Sequence, residues 1–104
     1  MGNLKTEYKC KDFRIRSELI SGNTYVHCDF YATGAGVTKA MYDCRLAVSA
    51  LHQDHGSNVY AVRVDDKHEK FLKFMGFQFY SKVWAIDDGG NDCFRDIWVR
   101  LKND

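Results

Sequence analysis

The chain has 104 residues, long enough for one hydrophobic core and too short for two, so residues 1–104 read as a single domain. Apolar types make up 45% of them and aromatic types 14%, enough to fill that core and to exclude intrinsic disorder. Charge is nearly balanced, with 15 Lys and Arg against 14 Asp and Glu, a net of +1, which excludes the strong positive field of a general nucleic-acid or acidic-membrane binder.

Taken in chain order, residues 7–16 alternate imperfectly and end in Phe13, Arg14, Ile15 and Arg16, the pattern of an edge or half-exposed strand. Residues 17–23 read as a turn, punctuated by Gly22 and Asn23. A second strand is predicted over 24–31, with Val26, Cys28 and Phe30 on one face, and the two strands together form a hairpin. The stretch ATGAG at 32–36 breaks it. From Val37 the period becomes helical: Val37, Ala40, Met41, Cys44, Ala47, Val48 and Leu51 recur at three- and four-residue steps, and Gly56 marks the stop. Residues 58–64, a short valine-rich run, belong at the centre of the sheet. Asp66 with Glu69 reads as a capping box for a second helix over 67–75, ended by Gly76. Residues 77–86 and 93–101 are predicted strands joined by a hairpin turn at 87–92. The resulting order, β-β-α-β-α-β-β, is an α/β or α+β sandwich whose middle strands are partly parallel and whose ends are antiparallel.

No run of 18 apolar residues and no secretory h-region occurs, so neither a membrane span nor export is expected, and the cytoplasm is the default location. Cys10, Cys28, Cys44 and Cys93 are far apart with no CxxC pair, and read as buried or half-buried free thiols rather than zinc ligands or a redox dithiol. His52 and His55 read as solvated loop residues, and no third ligand is spaced to join them on a metal. The aromatic set Phe71, Phe74, Phe77, Phe79, Tyr80, Trp84, Phe94 and Trp98 follows helix and strand periods and reads as core, not as a stacking platform for single-stranded nucleic acid. Nucleic acid is therefore not an expected partner.

Chemistry concentrates at two places. The glycine turn at 34–36 leads into a helix whose first N–H groups lack partners, so it is either a simple connection or a phosphate contact. Its spacing fits neither a dinucleotide fingerprint, since Lys39 stands where the third glycine belongs, nor a P-loop, which needs G-K-S/T. On the strand before it, alternation puts His27 and Asp29 on one face. His68 opens the second helix, facing the end of the preceding strand, with an unperturbed pKa suited to proton transfer or a bland role in capping and packing.

The segment DDKHEKFLKFMGF, residues 65–77, followed by strand, turn and strand, resembles the C-terminal half of the Gcn5-related N-acetyltransferase (GNAT) fold. The stretch from His68 to Gly76 is most similar to the divergent acetyltransferase-like proteins of tailed bacteriophages, of the internal virion protein A type. The resemblance spans about residues 24–101 and implies a GNAT-like mixed sheet lacking the usual N-terminal helices. It implies acetyl-CoA or CoA as cofactor, with the family's pyrophosphate loop falling on Tyr31, Ala32, Thr33, Gly34, Ala35 and Gly36 and the helix start at Val37. Lys67, Lys70, Lys73 and Lys82 offer a local basic face for CoA phosphate or an acidic partner. Leu72 occupies the position of the family's tyrosine acid, and Thr33 stands where Arg is common before the first glycine. The expected function is accordingly a non-catalytic interaction protein, phage-encoded and acting on a host or phage protein in the bacterial cytoplasm. The alternative is a minimal N-acetyltransferase using Asp29 and His68 as its catalytic residues. A homodimer through the N-terminal edge strand is a further expectation.

Overall fold

The computed structural model describes residues 3–86 and 88–102. They form six strands and two helices: β1 (Asn3–Lys9), β2 (Phe13–Ile20), β3 (Asn23–Phe30), α1 (Val37–His55), β4 (Val59–Val62), α2 (Asp66–Phe74), β5 (Gln78–Ile86) and β6 (Asp92–Arg100). One mixed sheet holds the strands in the order β1-β2-β3-β4-β6-β5. Only the β3–β4 pair is parallel, and β4 lies centrally as its valine-rich run predicts.

The front of the chain holds the expected hairpin as β2 with β3, with shifted bounds and a further strand, β1, before it. Residues 7–16 do not run as one strand, because the backbone turns after Lys9 and Cys10 N–H donates to the Phe13 carbonyl at 2.9 Å. The predicted turn at 17–23 shrinks to Ser21 and Gly22, both at positive φ, and residues 17–20 continue β2. Ser17 explains the misreading: it is polar, yet buried between Ile15 and the Val26 side of β3. The sheet edge is therefore β1, and β2 is interior, which moves the edge proposed for residues 7–16 toward the N-terminus.

Both helices lie on one side of the sheet. The α1 stripe buries Ala40, Cys44, Val48 and His52 at four-residue steps, against Phe13, Ile15 and Val26 from β2 and β3. From α2 and the turn after it come Leu72, Met75 and Phe77, and from β4 and β6 come Val59, Ala61 and Trp98. Each fully buried aliphatic chain contributes about 1.5–3 kcal/mol of transfer free energy, so this cluster rather than helix propensity holds the helices down. α1 ends where Gly56 takes a left-handed conformation at φ 79° and donates its N–H to His52 O.

His52 is not the solvated loop residue its sequence neighbours suggest. It is 5% exposed, and its Nδ1 accepts from Arg100 Nη1 of β6. Arg100 also donates from Nη2 to Ser49 Oγ at 2.7 Å and from Nε to the Met75 carbonyl at 2.9 Å, so one guanidinium ties α1, β6 and the end of α2 together. Burial first, and then the Arg100 charge, hold the His52 pKa below its ordinary value.

Among the described residues no helix is long and apolar enough to cross a membrane. The four cysteines are free: Cys44 is buried and Cys10, Cys28 and Cys93 are half-buried.

Candidate functional site

β3 and β4 share a single bridge, Tyr25 with Tyr60. Beyond it the strands part, and an open cleft of about 960 Å³ lies between the end of β3, the 31–34 turn, the start of α1 and the inner face of α2. Its walls are mainly apolar, from Cys28, Phe30, Val37, Met41, Phe71 and Phe74, while Lys67 and Lys70 stand at the rim. Phe30 and Phe71 meet across it with ring centroids 5.8 Å apart.

The turn that forms one lip is built for close approach. Tyr31 and Ala32 donate their N–H groups to the Asp12 carbonyl at 2.7 and 3.2 Å, which fixes the chain as it leaves β3. Thr33 is extended, Gly34 has φ +69°, and residues 34–36 make one 3-10 turn before α1. The positive φ at Gly34 is a conformation that side-chain-bearing residues adopt only at a cost. A Cβ at Gly34 or Gly36 would meet nothing within 4 Å, so neither glycine is there to accommodate packing within the chain. No side chain caps the 3-10 turn or α1, and neither first turn contains an acid. Residues 33–36 are exposed rather than sealed under packed side chains.

The opposite lip is α2, whose cap is displaced by one residue from the predicted box. Asp65, not Asp66, is the N-cap, and its Oδ1 accepts from the His68 N–H at 2.7 Å. Glu69 bonds Arg63 Nε at 2.9 Å and Lys73 Nζ at 3.3 Å, instead of reaching back to the cap, and Asp66 pairs with the same Arg63. Arg63 thereby anchors the end of β4 to the first turn of α2.

His68 lines the cleft, stacked on Phe71 at 6.2 Å between ring centroids. Its Nδ1 accepts from the Val64 N–H at 3.0 Å, which fixes the neutral tautomer with the proton on Nε2. Burial pushes its pKa down, the Arg63 charge adds to that, and Asp65 opposes it. At neutral pH the imidazole is thus a hydrogen-bond donor at Nε2 and has no lone pair free to act as a base.

Of the residues expected to act, Tyr31, Thr33, Gly34, Val37 and His68 come together around this cleft, while Ala35 and Gly36 lie exposed in the adjoining turn. Asp29 does not join them. It alternates with the cleft-lining Cys28 and Phe30, so it points to the other face of the sheet, where Arg16 lies 3.6 Å away. His27 shares that face but pairs with Glu18 at 2.9 Å rather than with Asp29. Leu72, at the position of the resembled family's acid, is buried in the core at 3% exposure. Lys73 and Lys82 are engaged elsewhere, with Glu69 and with Asp96 at 3.6 Å.

Sequence reading missed one contact at the cleft floor. Cys28 Sγ and Cys44 Sγ are 3.5 Å apart, and the bond to Cys44, followed by burial, raises the Cys28 pKa. Each cysteine sits on the apolar side of its element, the only signal that the two stripes would meet. Among the described residues no group of three metal-ligating side chains is gathered. The chain was compared with protein families, curated proteins and solved structures, and none of them matches it.

Proposed function

We propose that the chain is a non-catalytic, acetyltransferase-like interaction protein that holds acetyl-CoA or CoA in the cleft and acts on a protein partner, of a phage or its host. The observation that carries this reading is the parting of β3 and β4 beyond one bridge, beside a helix start left without side-chain caps or acids. A GNAT-like protein uses a splayed parallel pair and a glycine turn in these positions, followed by a short helix and a final hairpin. That sequence of elements supports the comparison.

The residues fit the group. Backbone amides around Gly34 to Gly36 and the positive end of α1 suit pyrophosphate oxygens, and no carboxylate of their own competes there. The apolar walls at Met41, Phe71 and Phe74 suit a pantetheine chain, and Lys67 and Lys70 suit further phosphate charge. The cofactor supplies an acetyl thioester when bound.

The machinery for moving that acetyl group is incomplete. Asp29 is on the wrong face to receive a proton from an amine in the cleft, Leu72 has none to give, and His68 Nδ1 is already occupied. These placements favour binding without turnover. The second reading, a minimal N-acetyltransferase, rests on His68 Nε2–H, a donor at the cleft wall able to hydrogen-bond to a leaving thiolate and stabilise its charge while the proton comes from solvent.

Titration calorimetry with CoA tests the first step, and a saturable signal is expected. Absence of heat at millimolar cofactor overturns the reading. Acetyl transfer to a panel of lysine peptides and small amines is expected to stay at the uncatalysed rate; turnover that disappears in His68→Gln would establish the enzyme instead.

A further inference from the structure

The aromatic residues of the last hairpin contradict their core reading. Phe79, Tyr80, Trp84 and Phe94 are each between 53% and 60% exposed, whereas Trp98 on the same hairpin is 5% exposed. Cross-strand register sets Phe79 against Trp98, Lys82 against Asp96, Trp84 against Phe94 and Ile86 against Asp92. Alternation therefore places Phe79, Trp84, Ile86 and Phe94 on the helix side of the sheet, past the end of helix cover. The patch is organised, with the Trp84 and Phe94 rings edge-to-face at 4.7 Å and Lys82 Nζ 6.0 Å from the Phe94 centroid.

Beside this patch runs a strand paired on one side only. β5 is the last strand of the sheet, nine residues long with one charge, Lys82, and no proline. The other edge strand is more heavily charged: β1 carries three charged residues in seven, and each edge strand has one register shift against its neighbour, between Leu4 and Thr6 in β1 and between Phe79 and Ser81 in β5. The two edges differ in charge, and β5 beyond its register shift, from Ser81 to Ile86, is regular and carries only Lys82.

We propose that the β5–β6 hairpin is a homodimer interface, in which β5 pairs antiparallel with β5 of a second copy and the two Trp84–Phe94 patches become one buried surface. Three features select a second copy as occupant. An open strand edge is filled only by another extended strand, and β5 is itself one. Lys82 is matched by Asp96 at 3.6 Å, and the other carboxylate of this face, Asp92, lies on β6, one strand back from the open edge, so like copies meet at β5 with little repulsion.

Area supplies the third feature. At about 150–250 Å² for a whole aromatic side chain, the half-exposed residues of this face present roughly 500 Å² per copy. Two copies with their paired edges reach the roughly 1,200 Å² at which specific interfaces begin. A two-fold axis through Trp84 sets Lys82 opposite Ile86 of the second copy and keeps the two lysines apart. The cleft lies across the sheet, between β3, α1 and α2, so dimerisation and CoA binding are separable.

Sedimentation velocity over a wide concentration series tests the proposal on the full chain. Native protein is expected to shift from a 12.0 kDa monomer to twice that mass, while Trp84→Lys and Phe94→Lys remain monomeric with unchanged circular dichroism and melting. Hydrogen exchange on the native chain provides a readout independent of variants: β5 amides should gain protection with concentration and β1 amides should not. A native chain that stays monomeric at every concentration overturns the proposal. So does a dimer that persists in both variants, or one whose concentration-dependent protection falls on β1.

Discussion

The two helices begin in opposite ways, although both beginnings face the same cleft. α2 opens on Asp65, whose carboxylate takes the His68 amide, with Asp66 and Glu69 adding negative charge where the helix dipole is positive. α1 opens on an exposed glycine-containing turn with neither cap nor acid. A folded chain gains about 1 kcal/mol from a good cap, so leaving α1 without one forgoes stability at the place where an anion would supply the missing partner. One terminus is satisfied by its own side chains, and the other is not.

The contrast is most sharply tested at Gly34. Gly34→Val forces a β-branched residue to φ +69°, and the strain is expected to cost about 1–2 kcal/mol in denaturant unfolding while CoA affinity falls at least tenfold. Retained affinity in a folded variant would break the comparison. Asp65→Ala removes the α2 cap and should lower stability by about 1 kcal/mol. Because it also takes a negative charge from the cleft wall, binding should be unchanged or tighter, and weaker binding would mean that the α2 terminus holds the ligand too.

The converse exchange is Gly36→Asp, which gives α1 a charge like the one α2 already has. Stability should rise by about 0.3–1 kcal/mol through the dipole while CoA affinity drops, a crossed outcome that no general loss of structure can imitate. The smallest effect concerns pH. Both His52 and His68 are held below their ordinary pKa, so the unfolded chain takes up protons near pH 6.5 that the folded chain refuses. Their contribution is complete above that value and is lost as pH falls beneath it. Melting temperature should therefore decline between pH 7.5 and 5, and His52→Asn should flatten part of the slope.

Periodicity was most informative where one face of an element meets the core. The 40, 44, 48 stripe of α1 and the valine-rich β4 were legible because each pattern has one physical reading. The glycine lip and His68 were legible as well, since turn residues and a helix start are local features. Contacts set by distant residues were not. His52 is buried because Arg100, 48 positions away, bonds it, and nothing beside His52 in the chain announces that partner. The capping box slipped by one residue because Asp65 and Asp66 offer the same chemistry and only backbone conformation separates them. Alternation along β5 and β6 defines two faces correctly but cannot say whether a helix reaches far enough to cover one, and here it does not reach Trp84.

The single Tyr25–Tyr60 bridge has a consequence for how the molecule could be divided. To one side of it lie β1, β2, β3 and α1, contiguous up to residue 55, and to the other lie β4, α2, β5 and β6. Each part keeps its own antiparallel ladder, and what joins them is mostly side-chain packing together with the Arg100 tie. A nick in the exposed Gly56–Ser57 connection would sever almost none of the hydrogen-bonded ladder. Cleavage there is therefore expected to leave the two parts associated, which gel filtration of the nicked chain would check.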